Sequence, residues 1–204
     1  MTLRIESVNE LSNADKIILD LCGGTGAWSR PYKEVGYTVI NVTLPEYDVR
    51  TYQPPPDVYG ILAAPPCTDF AIVATRHWEN KDIRGDTIES MGIVLACLKI
   101  IALCKPNFWA LENPVGRLSR WLGKPAMKFN PTDYGDNYTK KTYLWGNFNK
   151  PTPQALFSLP TDKDRIQQIF KRVIETDGRD FKKMAELRSI TPLEFAKAFF
   201  EANK

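Results

Sequence analysis

The chain begins with polar, mixed-charge residues 1–15, in which Ser7 to Leu11 fits a short helix, and then turns apolar. Lys16 to Leu21 (KIILDL) is apolar on both faces, the pattern of a central parallel strand. It runs into Cys22-Gly23-Gly24-Thr25-Gly26-Ala27-Trp28-Ser29, a glycine-rich turn followed by a helix start. Tyr37 to Val42 (YTVINV) reads as a second strand. Asn41 and Thr43 stand at its end, and the nearest carboxylate beyond is Glu46. Asp48 and a Pro-rich loop through Asp57 follow. Gly60 to Ala64 is a third strand, stopped by Pro65 and Pro66, which have no N–H for a sheet ladder. Cys67 comes directly after them. Phe70 to Arg84 has no clear period and reads as a mobile, partly basic loop with Arg76, His77, Trp78 and Lys81.

Asp86 to Cys104 is the clearest helix. Ile88, Met91, Leu95, Leu98 and Ala102 recur at helical spacing, and Asp86 with Glu89 forms a pair like a capping box. Lys105-Pro106 ends it. Phe108 to Leu111 is the next strand, ending at Glu112-Asn113-Pro114. Tyr134 to Phe148 reads as a hairpin-like pair of segments with Lys140 and Lys141 near its tip. Arg165 to Glu175 suits a short charged helix. Thr191-Pro192 reads as an N-cap with proline in the first helical position, opening a last helix, Leu193 to Ala202, that buries Phe195, Ala198 and Phe199. Strands alternating with helices predict a Rossmann-like α/β fold, a parallel-rich sheet with helices on both faces. No repeat or internal boundary divides the chain, so a single domain over residues 1–204 is expected.

Composition narrows this picture. The 204 residues suffice for one full core. No apolar run approaches the length of a membrane span, and no signal peptide stands out. The four cysteines, Cys22, Cys67, Cys97 and Cys104, lack zinc-ligand spacing, and His77 is the only histidine, so no metal site is expected. Reduced cysteines suit a cytoplasmic protein. The net charge of +3 permits a polyanionic partner without demanding one.

Three stretches carry candidate chemistry. Gly23, Gly24 and Gly26 let the backbone turn tightly and approach a ligand, at the place where Rossmann-like folds hold nucleotides. The spacing is not the full G-x-G-x-x-G, so a dinucleotide is not favoured. Asp48 suits either a ligand contact or a solvated loop acid. Cys67 sits where open α/β sheets bind ligands, a good place for a nucleophile. A half-buried structural cysteine fits those residues alone equally well. Glu112 and Asn113 at a second strand end point to the same edge, and two such strand ends are a stronger signal than one. Cys97 and Cys104, within an apolar helix, read as structural.

Together these motifs make the chain resemble the cytosine-C5 methyltransferases, particularly short phage-type members. DLCGGTGAW (Asp20 to Trp28) resembles their first cofactor motif. PPC (Pro65 to Cys67) is similar to their catalytic motif, and ENP (Glu112 to Pro114) to their Glu-Asn-Val motif. TKKTYLWGNF (Thr139 to Phe148) falls where they carry a Gln-x-Arg-x-Arg element. The match covers most of residues 16–148. Pro114 replaces valine, and lysines and threonines replace the Gln-Arg-Arg set. Only about forty residues separate Phe148 from Ser189, so the usual target-recognition domain is missing from this pattern.

The resemblance implies S-adenosylmethionine as cofactor, held by Asp20, Cys22, Gly23, Gly24, Gly26 and Trp28 with Asp48 and Pro65. It implies Cys67 as the nucleophile that attacks carbon 6 of cytosine, and Glu112 as the carboxyl group meeting the N3 edge. Lys141, or in second place Lys140, takes the base carbonyl where the family uses arginine. Pro66, Asn113, Lys140 and Arg76 are then substrate contacts. The implied partner is DNA, duplex or single-stranded, or a free cytosine nucleotide, with a second chain as a possible source of target recognition and no membrane. A phage-encoded protein of this kind works in the host cytoplasm. A non-catalytic relative that kept the fold as a binding subunit is the rival reading, and an intact Cys67 and Glu112 argue against it.

Overall fold

A computed structural model of the chain describes residues 12–136, 138–153 and 190–204. The readings of Ser7 to Leu11 and of Arg165 to Glu175 therefore lie outside the described residues. The centre is a six-stranded sheet built from β1 (Ile17–Leu21), β2 (Thr38–Val42), β3 (Val58–Ala63), β4 (Phe108–Pro114), β5 (Met127–Phe129) and β6 (Thr142–Asn147). Its spatial order is β2-β1-β3-β4-β6-β5. The first four strands are parallel, and β6 runs antiparallel between β4 and β5. Four strands thus end at one edge, and the order reverses between β1 and β3. That reversal opens a crevice at the carboxyl ends, where such sheets take ligands.

Both sheet faces are covered, as the doubly apolar strands require. On one face α1 (Arg30–Glu34) and the last helix, Leu193–Ala202, enclose Ile18, Trp28, Tyr32, Leu62, Phe108, Phe195 and Phe199. On the other, the long helix Asp86–Cys104 lays Val94, Cys97 and Ile101 over Leu19, Ile61, Ala63 and Leu111. The chain therefore has an α/β Rossmann-like fold, with helices on both faces.

Several expectations need correction. Phe70 to Arg84 is not a loop without structure: a 3-10 turn over Ile72–His77 leads into α2 (Trp78–Arg84). Its helical order comes from tertiary partners, described below, rather than from an apolar period. The long helix, α3, is capped by Gly85 in a left-handed conformation, and Asp86 turns to Arg84 at 2.6 Å instead of capping. Its predicted apolar face is also rotated. Ile88 is 77% and Leu95 57% exposed, while Thr87, Ser90, Val94, Cys97 and Ile101 face inward. A helix apolar on nearly every side has no moment to choose its face. The inward choice lets Thr87 and Ser90 hydrogen-bond beneath it. α3 is also long and apolar enough, by length and composition, to cross a membrane, against the sequence expectation; here it is the layer packed on the sheet.

The hairpin is made by β5 and β6, and residues 134–141 are the connection leading into β6. A fourth short helix, α4, covers Ser119–Leu122, and the last, α5, covers Leu193–Ala202. Pro192 is the N-cap of α5 rather than its first residue. Asp136 lies half-buried near that end: burial pushes its carboxyl up, and the Phe195 and Glu194 backbone N–H groups oppose the rise.

Candidate active site

The glycine turn starts where β1 ends. Cys22 takes a left-handed conformation (φ 57°), and its N–H bonds the Val42 carbonyl at 2.8 Å, which joins the ends of β1 and β2. Asp20 is fully buried, and Ser29 Oγ donates to its Oδ2 at 2.6 Å. Asn41 Nδ2 donates to the Gly24 carbonyl at 2.9 Å. The remaining oxygens, Asp20 Oδ1 and Asn41 Oδ1, are buried and have no partner among the described residues. Between them lies Gly23: a Cβ there would run into Asp20 Cγ and stand 2.5 Å from Asn41 Oδ1. Buried polar oxygens ordinarily find a donor. Two orphaned acceptors around a backbone that only glycine fits make a cradle for a ligand with N–H or O–H groups, and a nucleoside-bearing cofactor meets that description.

Burial pushes the Asp20 carboxyl up to about 6, only partly opposed by the Ser29 bonds. An acid raised in the folded state adds stability below its unfolded pKa and loses it as pH rises through the folded value. Between about pH 4 and 7 the ligand-free protein should therefore lose stability relative to Asp20→Asn, on the order of 2–3 kcal/mol. Urea unfolding of both proteins across that range checks this; parallel pH profiles would contradict it.

The other predicted cofactor residues divide. Trp28 is 2% exposed and packs on Phe195 and Phe199 with ring centroids 6.2 and 5.4 Å away, so it belongs to the core. Cys22 packs against the buried cluster that includes Cys97 of α3, and the neighbouring Cys22, together with burial, pushes the Cys97 thiol well up. That packing leads into the core rather than the cradle. Asp48 is taken up by Arg50, at 2.6 Å and through the Arg50 N–H, which holds its carboxyl below the usual range. Glu46 is exposed. Asn41 and Ser29 are the cradle residues that motif reading missed. A strand ending in asparagine rather than an acid was the available signal for Asn41.

Cys67 follows β3 on the adjoining strand end. Pro65 is buried, and its carbonyl accepts from Asn113 Nδ2 at 3.0 Å. Pro66 is exposed at the rim. The Cys67 carbonyl accepts from the N–H groups of Phe70 (3.0 Å) and Ala71 (2.9 Å), closing a tight turn behind the thiol. Burial pushes the Cys67 thiol above its ordinary range; the Glu112 carboxylate adds to this, Lys140 opposes it, and Asp69 adds a smaller rise. Glu112 and Lys140 are paired at 3.4 Å, with side chains 14% and 21% exposed. Lys140, not Lys141, is the lysine that reaches Glu112. Lys141 is exposed, and its carbonyl accepts from the Val115 N–H. Adjacent residues of an extended chain point to opposite sides, so one position decides which lysine enters. Arg76 is exposed and donates to His77 Nε2 at 2.9 Å. Tyr138 was not foreseen. Its phenol is pushed up first by burial, then by Asp136 and Glu112, so it stands as a neutral hydroxyl near the carboxylate.

The fold and these two neighbouring sites define a class: a Rossmann-like α/β protein with a cradle at one strand end and a thiol, a carboxylate and an ammonium group at the next. No family model matches the chain. It is similar to "Type II methyltransferase M.DdeI" of Desulfomicrobium norvegicum, 27% identical over 126 residues, half of this chain and 28% of that protein. It is also similar to "Probable DNA (cytosine-5)-methyltransferase" of Frog virus 3, 26% identical over 158 residues, 68% of this chain and 73% of that protein. The chain thus spans less than a third of the first relative's length. A solved structure described as a candidate DNA modification methyltransferase encoded within an E. coli prophage aligns with a TM-score of 0.45 and 17% identity, over 65% of this chain and 46% of the other. No group of three or more potential metal ligands occurs among the described residues.

Proposed function

We propose that this chain methylates cytosine at carbon 5 in DNA, with S-adenosylmethionine as methyl donor and Cys67 as covalent nucleophile, within a single methyltransferase domain. The observation that carries this reading is the convergence of the Cys67 thiol with the Glu112–Lys140 pair beside the Gly23 cradle. Gly23, Asp20 and Asn41 would hold the cofactor, whose amino and hydroxyl groups are donors of the kind the two orphaned oxygens lack. Bound there, it supplies an electrophilic methyl group.

Carbon 5 of cytosine is a weak nucleophile. Once Cys67 has lost its proton, its thiolate adds to carbon 6, and the electron pair of the ring double bond moves to carbon 5. Glu112, in its protonated form, donates to N3 of the base, where negative charge builds during that addition. Lys140 is placed to hold the base carbonyl as a point charge. After carbon 5 has gained its methyl group, loss of its proton to a base restores the double bond and expels the Cys67 thiolate.

Cytosine in a duplex must first be flipped out, at a cost of a few kcal/mol. Lys81 and Lys140 are held in ion pairs, which leaves Arg76 and Lys141 as exposed cations of the predicted set. That scarcity favours a single strand, and gives a free cytosine nucleotide a place as second reading. A tritiated-methyl assay on duplex, single strand and dCMP distinguishes them. With about two phosphate contacts, log K against log salt should fall with a slope of about −1.4 on single strands or −1.8 on duplex. Methylation of dCMP with a flat salt dependence favours the second reading, and no methylation of any of the three contradicts both.

A further inference from the structure

We propose that Arg117, through Asp69, is a positioning residue that locks the Cys67 turn to the Glu112 strand end and so sets the thiol against its partners. This rests on the reading of Cys67 as nucleophile, but its geometry stands by itself. Two segments press together here: the chain after Cys67 and the chain after Glu112. Asn113 Nδ2 reaches the Pro65 carbonyl, the Ile72 N–H reaches the Val115 carbonyl at 2.9 Å, and the Arg117 N–H reaches the Phe70 carbonyl at 2.8 Å. Ala71 and Gly116 form an isolated bridge. A Cβ on Gly116 would overlap the Phe70 carbonyl oxygen, so only glycine permits this approach.

Arg117 is 3% exposed, and its guanidinium uses three nitrogens in three directions. Nε donates to the Asp69 carbonyl at 2.8 Å, one terminal nitrogen to Asp82 at 2.8 Å, and the other to Thr87 Oγ1 at 2.6 Å. Its cationic carbon also sits 4.8 Å from the centre of the Trp78 ring. Asp69, two residues past Cys67, is 8% exposed; it pairs with Lys81 and accepts from Ser90. Lys81 in turn donates to the Thr68 carbonyl at 2.8 Å. The turn bearing Cys67 is thus held from α2, from the first turns of α3 and from the segment after β4.

A buried ion pair adds little net stability, because desolvation offsets the attraction. A single guanidinium that bridges three elements instead fixes their relative placement, and Lys cannot replace it because one ammonium cannot span three directions. The cluster's hydrogen bonds reach none of Asp20, Gly23, Asn41, Glu112 or Lys140. Its effect reaches the reaction only through where it puts Cys67.

Alkylation of Cys67 by iodoacetamide against pH, with the labelled peptide read by mass spectrometry, tests the clamp without any methyl transfer. The groups facing the thiol are Glu112, Lys140 and Asp69. In Arg117→Gln the turn loosens and water reaches the thiol. Its alkylation midpoint should move down, and labelling at neutral pH should speed up by about tenfold. The kcat for methyl transfer should fall about tenfold to a hundredfold, with S-adenosylmethionine affinity unchanged. Where Arg117→Gln does not fold, Arg117→Lys carries the same reading. A folded variant with the wild-type alkylation profile overturns the clamp, even if it is less stable. Wild-type protein that methylates nothing would overturn the proposed reaction, while the alkylation shift would still decide the clamp.

Discussion

Gly23→Ala should weaken S-adenosylmethionine binding by about thirtyfold or more while the sheet stays folded. The added methyl group has no free volume to enter. It meets the Asp20 carboxyl and Asn41 Oδ1, and the oxygens it meets, Asp20 Oδ1 and Asn41 Oδ1, are both buried without partners among the described residues. Asp20 cannot retreat easily, because it is fully buried and bonded to Ser29. The strain therefore falls on the cradle, which has to keep its shape to receive a ligand. Gly24→Ala is the informative comparison. A Cβ at Gly24 meets nothing within 4 Å, but its φ is +53°. That substitution costs about 1–2 kcal/mol of backbone strain without filling the cradle. Calorimetry with the cofactor should separate the two, with binding lost at Gly23 and largely kept at Gly24. A folded Gly23→Ala protein that binds like wild type would rule out the cradle as the cofactor site.

The second large effect is at Cys67. Cys67→Ala should lower methyl transfer by more than about 10⁴-fold, since no other group can make the bond to carbon 6. Stability should change by less than about 1 kcal/mol, because the side chain is only partly buried and makes no side-chain hydrogen bond among the described residues that the loss would strand. Cofactor binding should persist, because the cradle is built by β1 and β2 rather than by the turn after β3. The pH dependence follows from the same surroundings. Burial and the Glu112 carboxylate hold the thiol above its ordinary range, so the reactive thiolate becomes commoner as pH rises. The rate of the bond-forming step should accordingly climb with pH through and beyond neutrality. A pre-steady-state profile that falls over that range would contradict Cys67 as the attacking group.

The strand ends are legible in the sequence because each is marked locally. β1 is apolar on both faces and stops at glycines, β3 stops at two prolines, and β4 ends in an acid and an amide. These punctuators are enough to put the glycine turn, Cys67 and Glu112 on one edge of the sheet. What stays hidden depends on long-range partners. Lys140 and Lys141 differ by one position, and the pairing of the Lys141 carbonyl with the Val115 N–H, which no local signal announces, leaves Lys140 to face Glu112. Trp28 sits in a ligand-like motif, yet Phe195 and Phe199, about 170 residues away, claim it for the core. The face of α3 is misread because its apolar residues surround the helix, and the buried side is chosen by Thr87 and Ser90 reaching Arg117 and Asp69. The same cluster orders α2, which has no periodic signal of its own.

The proposed chemistry stands or falls on a bond between Cys67 and the base. A cytosine with fluorine at carbon 5 cannot lose a proton there after methylation, so the thioether to the enzyme should persist. The protein is incubated with S-adenosylmethionine and this base in duplex, single-stranded and nucleotide form, then digested and mapped by mass spectrometry. The expected adduct lies on Cys67, disappears in Cys67→Ala and survives in Cys22→Ala. An adduct on Cys22, Cys97 or Cys104, or none with any of the three substrates, would contradict the mechanism.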